Sequence, residues 1–319
     1  MPTNLAEKAA EHVVKKEKDR PISFYKRPKL VVTETIRERN IESVSDLIKD
    51  RLDDWTVENP DVGTMKAQMK IWDYLVDYYF RVELEGWEKL PASPTLIAGI
   101  HSGTWLTMDA WVFCALWWRQ FGTQRTLHGT AHDMLFGMPG LGTYFKKVGV
   151  IPAGRHSVTA ALDTGHDVVV WPGGDVDAMR SWKKRDEVIL GNRKGFVRQA
   201  IRSGVPITPI ATTGGHDTVF VVSEGRWLAK KLRTKKWFRS EICPVVVGAP
   251  FGLSLEVLPM HIPLPSKIRI EILDPIDVGN DSDKENDAEY VDSIYKEVEQ
   301  SIQAGVNRLA AKRKFPIFG

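Results

Sequence analysis

Apolar and polar positions follow two rhythms along this chain, one of period 3.6 and one of period 2. Met65, Met69, Ile71, Trp72, Leu75, Val76, Tyr79 and Phe80 recur at helical spacing, which predicts a helix over 64–82 with one broad apolar face. A further helix is predicted over 41–54. From residue 94 the rhythm changes repeatedly. Short apolar runs bounded by Gly, Pro and polar residues predict strands at 95–100, 124–128, 149–151, 167–171, 206–212, 243–248 and 268–273. Helical spacing between them predicts helices at 106–119, 133–147, 157–164, 195–203 and 289–311. Ser266 to Ile272 alternates strictly, as an edge strand with one wet face would. The last helix gathers Val291, Ile294, Val298, Ile302, Val306 and Leu309 on one side, and it ends in Lys312-Arg313-Lys314, which suits the helix dipole. Alternating strands and helices predict an α/β fold, a central mixed, mostly parallel sheet flanked by helices. Residues 1–84 read as a polar segment plus a helical extension, and 85–319 as the α/β domain with its C-terminal helix.

Composition adds boundaries to this picture. With 43% hydrophobic and 27% charged residues, the chain is not broadly disordered. Cys114 and Cys243 lie far apart in apolar surroundings, so they read as buried thiols in a reducing compartment. No Cys/His cluster has zinc spacing, and no metal is expected. The first twenty residues lack the apolar core of a secretory signal. The longest apolar region, 95–118, is broken by His101, Ser102, Thr104, Thr107 and Asp109, which makes a poor membrane span. The expectation is a cytoplasmic protein without transmembrane helices.

The net charge of +3 is small, but the cations cluster. Residues 226–239 carry seven Lys/Arg and no acid, interleaved with Trp227, Leu228, Leu232, Trp237 and Phe238. Trp227 and Trp237 with Lys230, Lys231, Lys235 and Lys236 suit contact with an anionic membrane surface. Nucleic acid would suit the same mixture, and a solvated helix face is the plainer use of it.

Four blocks carry residue types that do chemistry. His101 follows the apolar run 96–100 in a Gly-containing turn, and Asp109 stands just inside the next helix. That is a usable general base with an orienting carboxylate, although many such pairs are structural. Val148 to Arg155 (VGVIPAGR) is a short strand ending in a turn with Arg155 at its tip, placed for a phosphate or carboxylate. Val168 to Asp177 runs an apolar strand into Pro172-Gly173-Gly174, where the backbone can approach a ligand, with Asp175 and Asp177 beside it. Arg193, Lys194, Gly195 and Phe196 open a helix with cations, an arrangement that opposes the dipole unless an anion is held there.

In this order the blocks resemble the glycerolipid acyltransferase superfamily of PlsC-like enzymes, most of all its monoacylglycerol/diacylglycerol acyltransferase branch. The resemblance spans about residues 85–275, and WPGGD followed by RKGFVRQAIRSGVPITPI is its most specific part. It implies His101 as catalytic base with Asp109 as partner, and Arg155 as the contact to a glycerol phosphate. It also implies Pro172, Gly173 and Gly174 as a substrate-binding turn, with Asp177 where the branch often has Glu. Arg193, Lys194, Gly195 and Phe196 match its basic helix entry. The family spacing is HxxxxD, whereas here Leu106 stands five places after His101 and Asp109 three further on. Either the turn after His101 is longer, through Gly103, or Asp109 reaches back from the second helical turn. Asp175 and Asp177 remain alternatives for the acid.

The implied reaction moves a fatty acyl chain from a thioester donor, acyl-CoA or acyl-carrier protein, to a hydroxyl of a glycerolipid or lysophospholipid. The donor is a co-substrate, and no bound cofactor is expected. The expected partners are the lipid acceptor, the thioester and an anionic membrane met peripherally, with no nucleic acid. A serine-hydrolase elbow is unsupported, since GxSxG is missing, and Gly137 to Gly142 lacks GxGxxG. The competing class is a non-catalytic membrane- or nucleic-acid-binding module built on 226–239. It leaves His101, the Pro-Gly-Gly turn and the basic helix entry without a use.

Overall fold

Strands that share one direction set the site. In the computed structural model, which describes residues 54–92, 94–234, 241–256, 261–315 and 317–318, the main sheet has seven strands. Their spatial order is β1 (Glu83–Glu85), β10 (Arg269–Ile272), β6 (Ile207–Thr213), β2 (Leu96–Ala98), β5 (Asp167–Val170), β3 (Leu127–Ala131) and β4 (Ile151–Pro152). Neighbours from β6 to β4 pair in parallel, β10 runs antiparallel to β6, and β1 is parallel to β10. The sheet is therefore mixed and mostly parallel, as the alternation of elements predicts.

Both faces are covered, which is why the central strands read as unbroken apolar runs. Side chains alternate across a strand. Leu96 and Ala98 of β2 face a core shared with α5 (Arg155–Asp163), α7 (Gly195–Ser203) and α9 (Ala288–Ala311). Ile97, between them, faces α1 (Val62–Tyr74) with its continuation at 75–80 and α2 (Met108–Phe121), among Val76, Phe80, Val112, Phe113 and Trp117. Helix α9 starts at Asp287, whose carboxylate caps Glu289 and Tyr290 N–H, and it buries the apolar side read from the sequence. Gly305 lets it press on β6, where a Cβ would stand 2.6 Å from that of Ala211.

Several expectations change. The helix expected over 133–147 is two, α3 (Asp133–Phe136) and α4 (Leu141–Lys147), because Pro139 removes a backbone donor and Gly140 adopts φ 79°. The alternating strand β10 is not an edge: the three-residue β1, missed in the sequence, pairs along its outer side. The expected helix over 64–82 closes in a π-helical turn at Leu75–Tyr79, and Arg81 at φ 46° then turns the chain into β1. Most of the helix expected at 41–54 lies outside the described residues.

The strand expected at 243–248 joins a second sheet instead. There β7 (Phe220–Ser223), β8 (Val245–Gly248) and β9 (Gly252–Leu255) pair antiparallel. The chain between β7 and β8 begins with α8 (Arg226–Leu232). Among the described residues, no helix is long and apolar enough to cross a membrane.

Candidate active site

The carboxyl ends of β2, β5 and β6 lie side by side at one edge of the sheet, the place where open α/β sheets gather their ligand-binding loops. His101 leaves β2, Trp171 leaves β5, and Gly214 to Thr218 leave β6. The rings of His101 and Trp171 stack with centroids 4.8 Å apart and planes 8° from parallel. Gly99 makes room for this, since a Cβ there would meet Trp171 Nε1 at 3.2 Å and Ile210 Cγ1 at 2.8 Å.

The turn after His101 explains the long spacing to Asp109. Gly103 (φ 83°), Thr104 (φ 60°) and Thr107 (φ 29°) all take positive φ, around a single 3₁₀ turn at Thr104–Leu106. For the two threonines that conformation is strained. The extra residues are consumed in this turn, so α2 begins at Met108 and Asp109 falls in its first turn. Of the two routes open in the sequence, the longer turn through Gly103 is the one taken. Asp109 is buried; its Oδ1 accepts the Ser102 N–H at 3.3 Å, and its Oδ2 stands 3.7 Å from His101 Nδ1. That separation is too long for a hydrogen bond, and catalytic contacts in sites without substrate often tighten on binding.

Asp177, on the short helix α6 (Gly174–Ala178), serves His101 from the other side. Wholly buried, it accepts the His101 backbone N–H and forms an ion pair with the equally buried Arg180. Arg180 also donates to the carbonyls of His101 and Asp177, at 3.1 and 3.0 Å, and to those of Lys184 and Arg185, both at 3.1 Å. The His101 loop is thus clamped by a buried charge pair with many hydrogen bonds, as a buried pair requires. Burial raises the Asp177 carboxyl to about 6, against the opposing pull of Arg180 and the His101 N–H.

The loop after β6 closes the third side. Gly215 lies so close to Ser102 that a Cβ would overlap its Oγ, and a Cβ on Gly103 would stand 3.0 Å from the Gly215 carbonyl. His216 is buried there, and burial together with the Arg180 charge holds its pKa well below the ordinary value, so the ring is neutral. Glu256, just past β9, is buried against His261 Nδ1 at 2.5 Å and accepts the Thr104 hydroxyl at 3.3 Å, while its carbonyl accepts Trp105 Nε1–H at 2.9 Å.

The remaining expected residues divide. Pro172, Gly174 and Asp175 do meet Arg193, which donates to the Pro172 carbonyl at 3.3 Å and to Asp175 Oδ1 at 3.0 Å, whereas Gly173 lies against Asp177 and the Ile189 carbonyl. Asp177 departs from the expected substrate contact, because it is enclosed and spent on the His101 backbone and Arg180. Phe196 is a core residue packed on the apolar face of α7, and Lys194 pairs with Asp292 of α9 at 2.6 Å, so neither points at an open site. Gly195 starts α7 in the open. Arg155 starts α5, is largely exposed, and stands 3.9 Å from Glu285. On α8, Trp227, Lys230 and Lys231 are exposed; Lys235, Lys236 and Trp237 lie outside the described residues. Burial pushes the Cys114 thiol up to about 12 and raises that of Cys243, so both are poor nucleophiles.

Sequence reasoning passed over Trp171, Arg180 and His216. Each carries a weak signal: Trp171 borders the glycine turn, Arg180 falls three places after Asp177, and His216 follows Gly214-Gly215 at a strand end.

An uncharacterised protein of Mycobacterium tuberculosis is 27% identical over 243 residues, covering 76% of this chain and 65% of that one. A mouse protein named DGAT1/2-independent enzyme synthesizing storage lipids is 29% identical over 195 residues, 60% of this chain and 56% of its own. The chain therefore spans a little under two thirds of the first relative's length and just over half of the second's. In shape it is similar to a 1-acyl-sn-glycerophosphate acyltransferase, PlsC, from Thermotoga maritima, with a TM-score of 0.48 and 20% identity over 78% of this chain and 81% of that one. The family model described as diacylglycerol acyltransferase matches residues 59–304 and takes in every strand and loop of the site, so the chain belongs to the diacylglycerol acyltransferase family.

Proposed function

We propose that this chain transfers a fatty acyl group from a thioester, acyl-CoA or acyl-carrier protein, to a hydroxyl of a glycerolipid, with His101 as general base. The observation that carries the reading is the His101–Asp109 pair at the carboxyl end of β2, stacked on Trp171 and framed by the loops after β5 and β6. Nδ1 faces the Asp109 carboxylate, which leaves Nε2 to take the acceptor's hydroxyl proton as the oxygen attacks the thioester carbonyl. The tetrahedral oxyanion collapses, the C–S bond breaks, and the imidazolium returns the proton to the departing thiolate. Backbone N–H groups of the Pro-Gly-Gly turn, or the cations beside it, are the candidates to meet the oxyanion. A binding module alone would have no use for this arrangement.

A neutral mono- or diacylglycerol is the favoured acceptor. Arg193, Lys194 and Arg155 each lie against a carboxylate, of Asp175, Asp292 and Glu285, so their charge is partly met within the protein. A lysophospholipid would have to compete with those acids for its phosphate. The protein meets the membrane peripherally, through Trp227, Lys230 and Lys231 of α8 and, in the sequence beyond it, Lys235, Lys236 and Trp237.

The test is thiol release with product identification across mono- and diacylglycerols and lysophospholipids. His101→Ala should lower turnover by at least the ~10²–10⁴-fold typical of a positioned acid–base group, with the fold intact. Activity within a few-fold of wild type removes the mechanism. Asp109→Asn should lower kcat and leave the acceptor KM nearly unmoved, because its effect is on the transition state.

A further inference from the structure

The second sheet has one closed face and one apolar face that the described residues cover at Phe220, against Trp182, and leave open over β8 and β9. Directly opposed residues of an antiparallel pair share a face. Val221 and Val246 therefore point inward and pack on Val219. Val247 lies opposite Leu253 and Val245 opposite Leu255, on the outer side. There Leu253 is 70% exposed and Leu255 44%, with Phe251 at 61% in the β8–β9 turn. Ile262, bridged to Ala249 at the end of β8, and Val222, at the bulge of β7, are exposed as well. A sheet with one solvated face places polar side chains there. This one presents Val, Leu, Ile and Phe in a contiguous set, the kind of patch that marks an interaction surface.

Two features around the patch specify what it fits. Helix α8 leaves β7 after only Glu224 and Gly225, and it exposes Arg226, Lys230, Lys231 and Arg233 beside Trp227 and Leu232. The neighbouring acid, Glu224, is engaged with Arg226 at 2.7 Å. Apolar side chains bordered by Trp and by cations match the layers of an anionic bilayer, acyl boundary beneath and phosphates above. The patch also adjoins the site. Leu255 is followed directly by Glu256, which holds Thr104 and Trp105 of the His101 turn, and Ile242, ahead of β8, packs with Trp105 and Met179.

We propose that the outer face of β7–β9 is a bilayer-docking surface. Val247, Phe251, Leu253, Leu255 and Ile262 enter the boundary between headgroups and acyl chains of an anionic membrane, and the cations of α8 meet its phosphates. Docked this way, the His101 turn stands at the lipid boundary, and an acceptor reaches it from the membrane rather than from water. The delivery of an acceptor rests on the acyltransferase reading; the docking does not.

The test is flotation of the full chain with vesicles of phosphatidylcholine containing phosphatidylglycerol. Leu253→Ser/Leu255→Ser and Phe251→Ser should each lower vesicle partitioning about tenfold, since binding scales with the apolar area inserted. Thermal unfolding should stay close to the wild type, because Leu253 and Phe251 are mostly exposed and Leu255 nearly half exposed. Turnover of a short-chain acceptor dispersed in water should be unchanged, while turnover of a long-chain acceptor in vesicles should fall with binding. A fall in flotation without acyl transfer to any acceptor would uphold the surface and sink the acyltransferase reading.

Unchanged flotation in both variants overturns the proposal. So does a loss confined to Ile71→Ser/Tyr74→Ser/Tyr78→Ser on the exposed side of α1 and its π turn, which would make that helix the docking element. A wild-type dimer in solution that the sheet variants convert to monomer also overturns it, by assigning the face to a second copy of the chain.

Discussion

The two sheets are built from similar residues and live in different surroundings. In the main sheet, β2, β5 and β6 read Leu-Ile-Ala, Asp-Val-Val-Val and Ile-Thr-Pro-Ile-Ala-Thr-Thr, and every one of these positions is buried. In the second, β8 and β9 read Val-Val-Val-Gly and Gly-Leu-Ser-Leu, and Val247, Leu253 and Leu255 are exposed. Apolar content therefore does not reveal whether a strand is covered. What separates the sheets is the parallel connection: each parallel crossover in the main sheet lays a helix on a face, whereas β8 and β9 are joined by a short antiparallel return and, among the described residues, the outer sides of Leu253 and Leu255 stay open. The covered sheet holds the loops that follow β2, β5 and β6 in place. The second sheet, among the described residues, leaves Val247, Leu253 and Leu255 exposed.

The sharpest way to break this contrast is to loosen the covered side at its charged clamp. Arg180→Met leaves Asp177 buried without its ion-pair partner, and removing one member of such a pair typically destabilises by ~3–5 kcal/mol. Activity should fall with it, because the His101 carbonyl loses a donor. Burial already raises Asp177 to about 6, so the deficit relative to wild type should shrink as pH drops through 6 and the carboxyl becomes neutral. Denaturant unfolding of both proteins at pH 7.5 and 5.5 checks this. An equal deficit at both values would mean that Asp177 is not the group left unpaired.

The elements that carry the clamp were unevenly legible in the sequence. His101, Asp109, the Pro-Gly-Gly turn and Arg193 could be read because each sits at a boundary between an apolar run and a turn, where the local pattern changes. Arg180 could not, because nothing local tells a buried Arg from a surface one; its burial depends on Asp177, His101 and two later carbonyls converging on it. His216 enters the site through a strand more than a hundred residues after His101, and only the parallel pairing of β2 with β6 brings them together. Phe196 and Lys194 were misplaced for the converse reason. They belong to a recognisable motif, but α7 turns one into the core and the other toward α9. The central strands of the main sheet were legible because each contains a short apolar run bounded by Gly, Pro or polar residues. β1, β7 and β9 were not, being short and partly exposed.

A second covered feature gives a smaller effect with a known sign. His128 of β3 is buried, with Nδ1 on the Gly149 carbonyl at 2.8 Å and Nε2 on His166 at 3.0 Å. Burial lowers it to about 4, and His166 is lowered as well. The unfolded chain takes up a proton near 6.5 that the native state refuses, so stability is lost as pH falls below 6.5. For His128 alone the loss between pH 7 and 5 is about 2 kcal/mol. His128→Gln should flatten this part of the stability–pH curve, measured by denaturant titration. A curve as steep as the wild type's would assign the loss to other groups.

The smallest expected effect sharpens the contrast most. Ile97→Thr in β2 and Leu253→Ser in β9 each put a hydroxyl on a strand at an apolar position. Ile97 is wholly enclosed between Val112, Phe113, Val169 and Ile210, so its hydroxyl would lose water without a ready partner, at a cost of about 1–3 kcal/mol beyond the lost packing. Leu253 already meets solvent over most of its surface, and Leu253→Ser should change unfolding free energy by no more than ~0.5 kcal/mol. The two variants are to be unfolded side by side in urea, without lipid. If Leu253→Ser costs as much as Ile97→Thr, the outer face of β7–β9 is covered in solution, by residues beyond those described or by a second copy. If its cost is near zero without lipid and the variant still floats poorly with anionic vesicles, Leu253 contributes to docking and not to folding, which is the difference between the two sheets expressed at a single side chain.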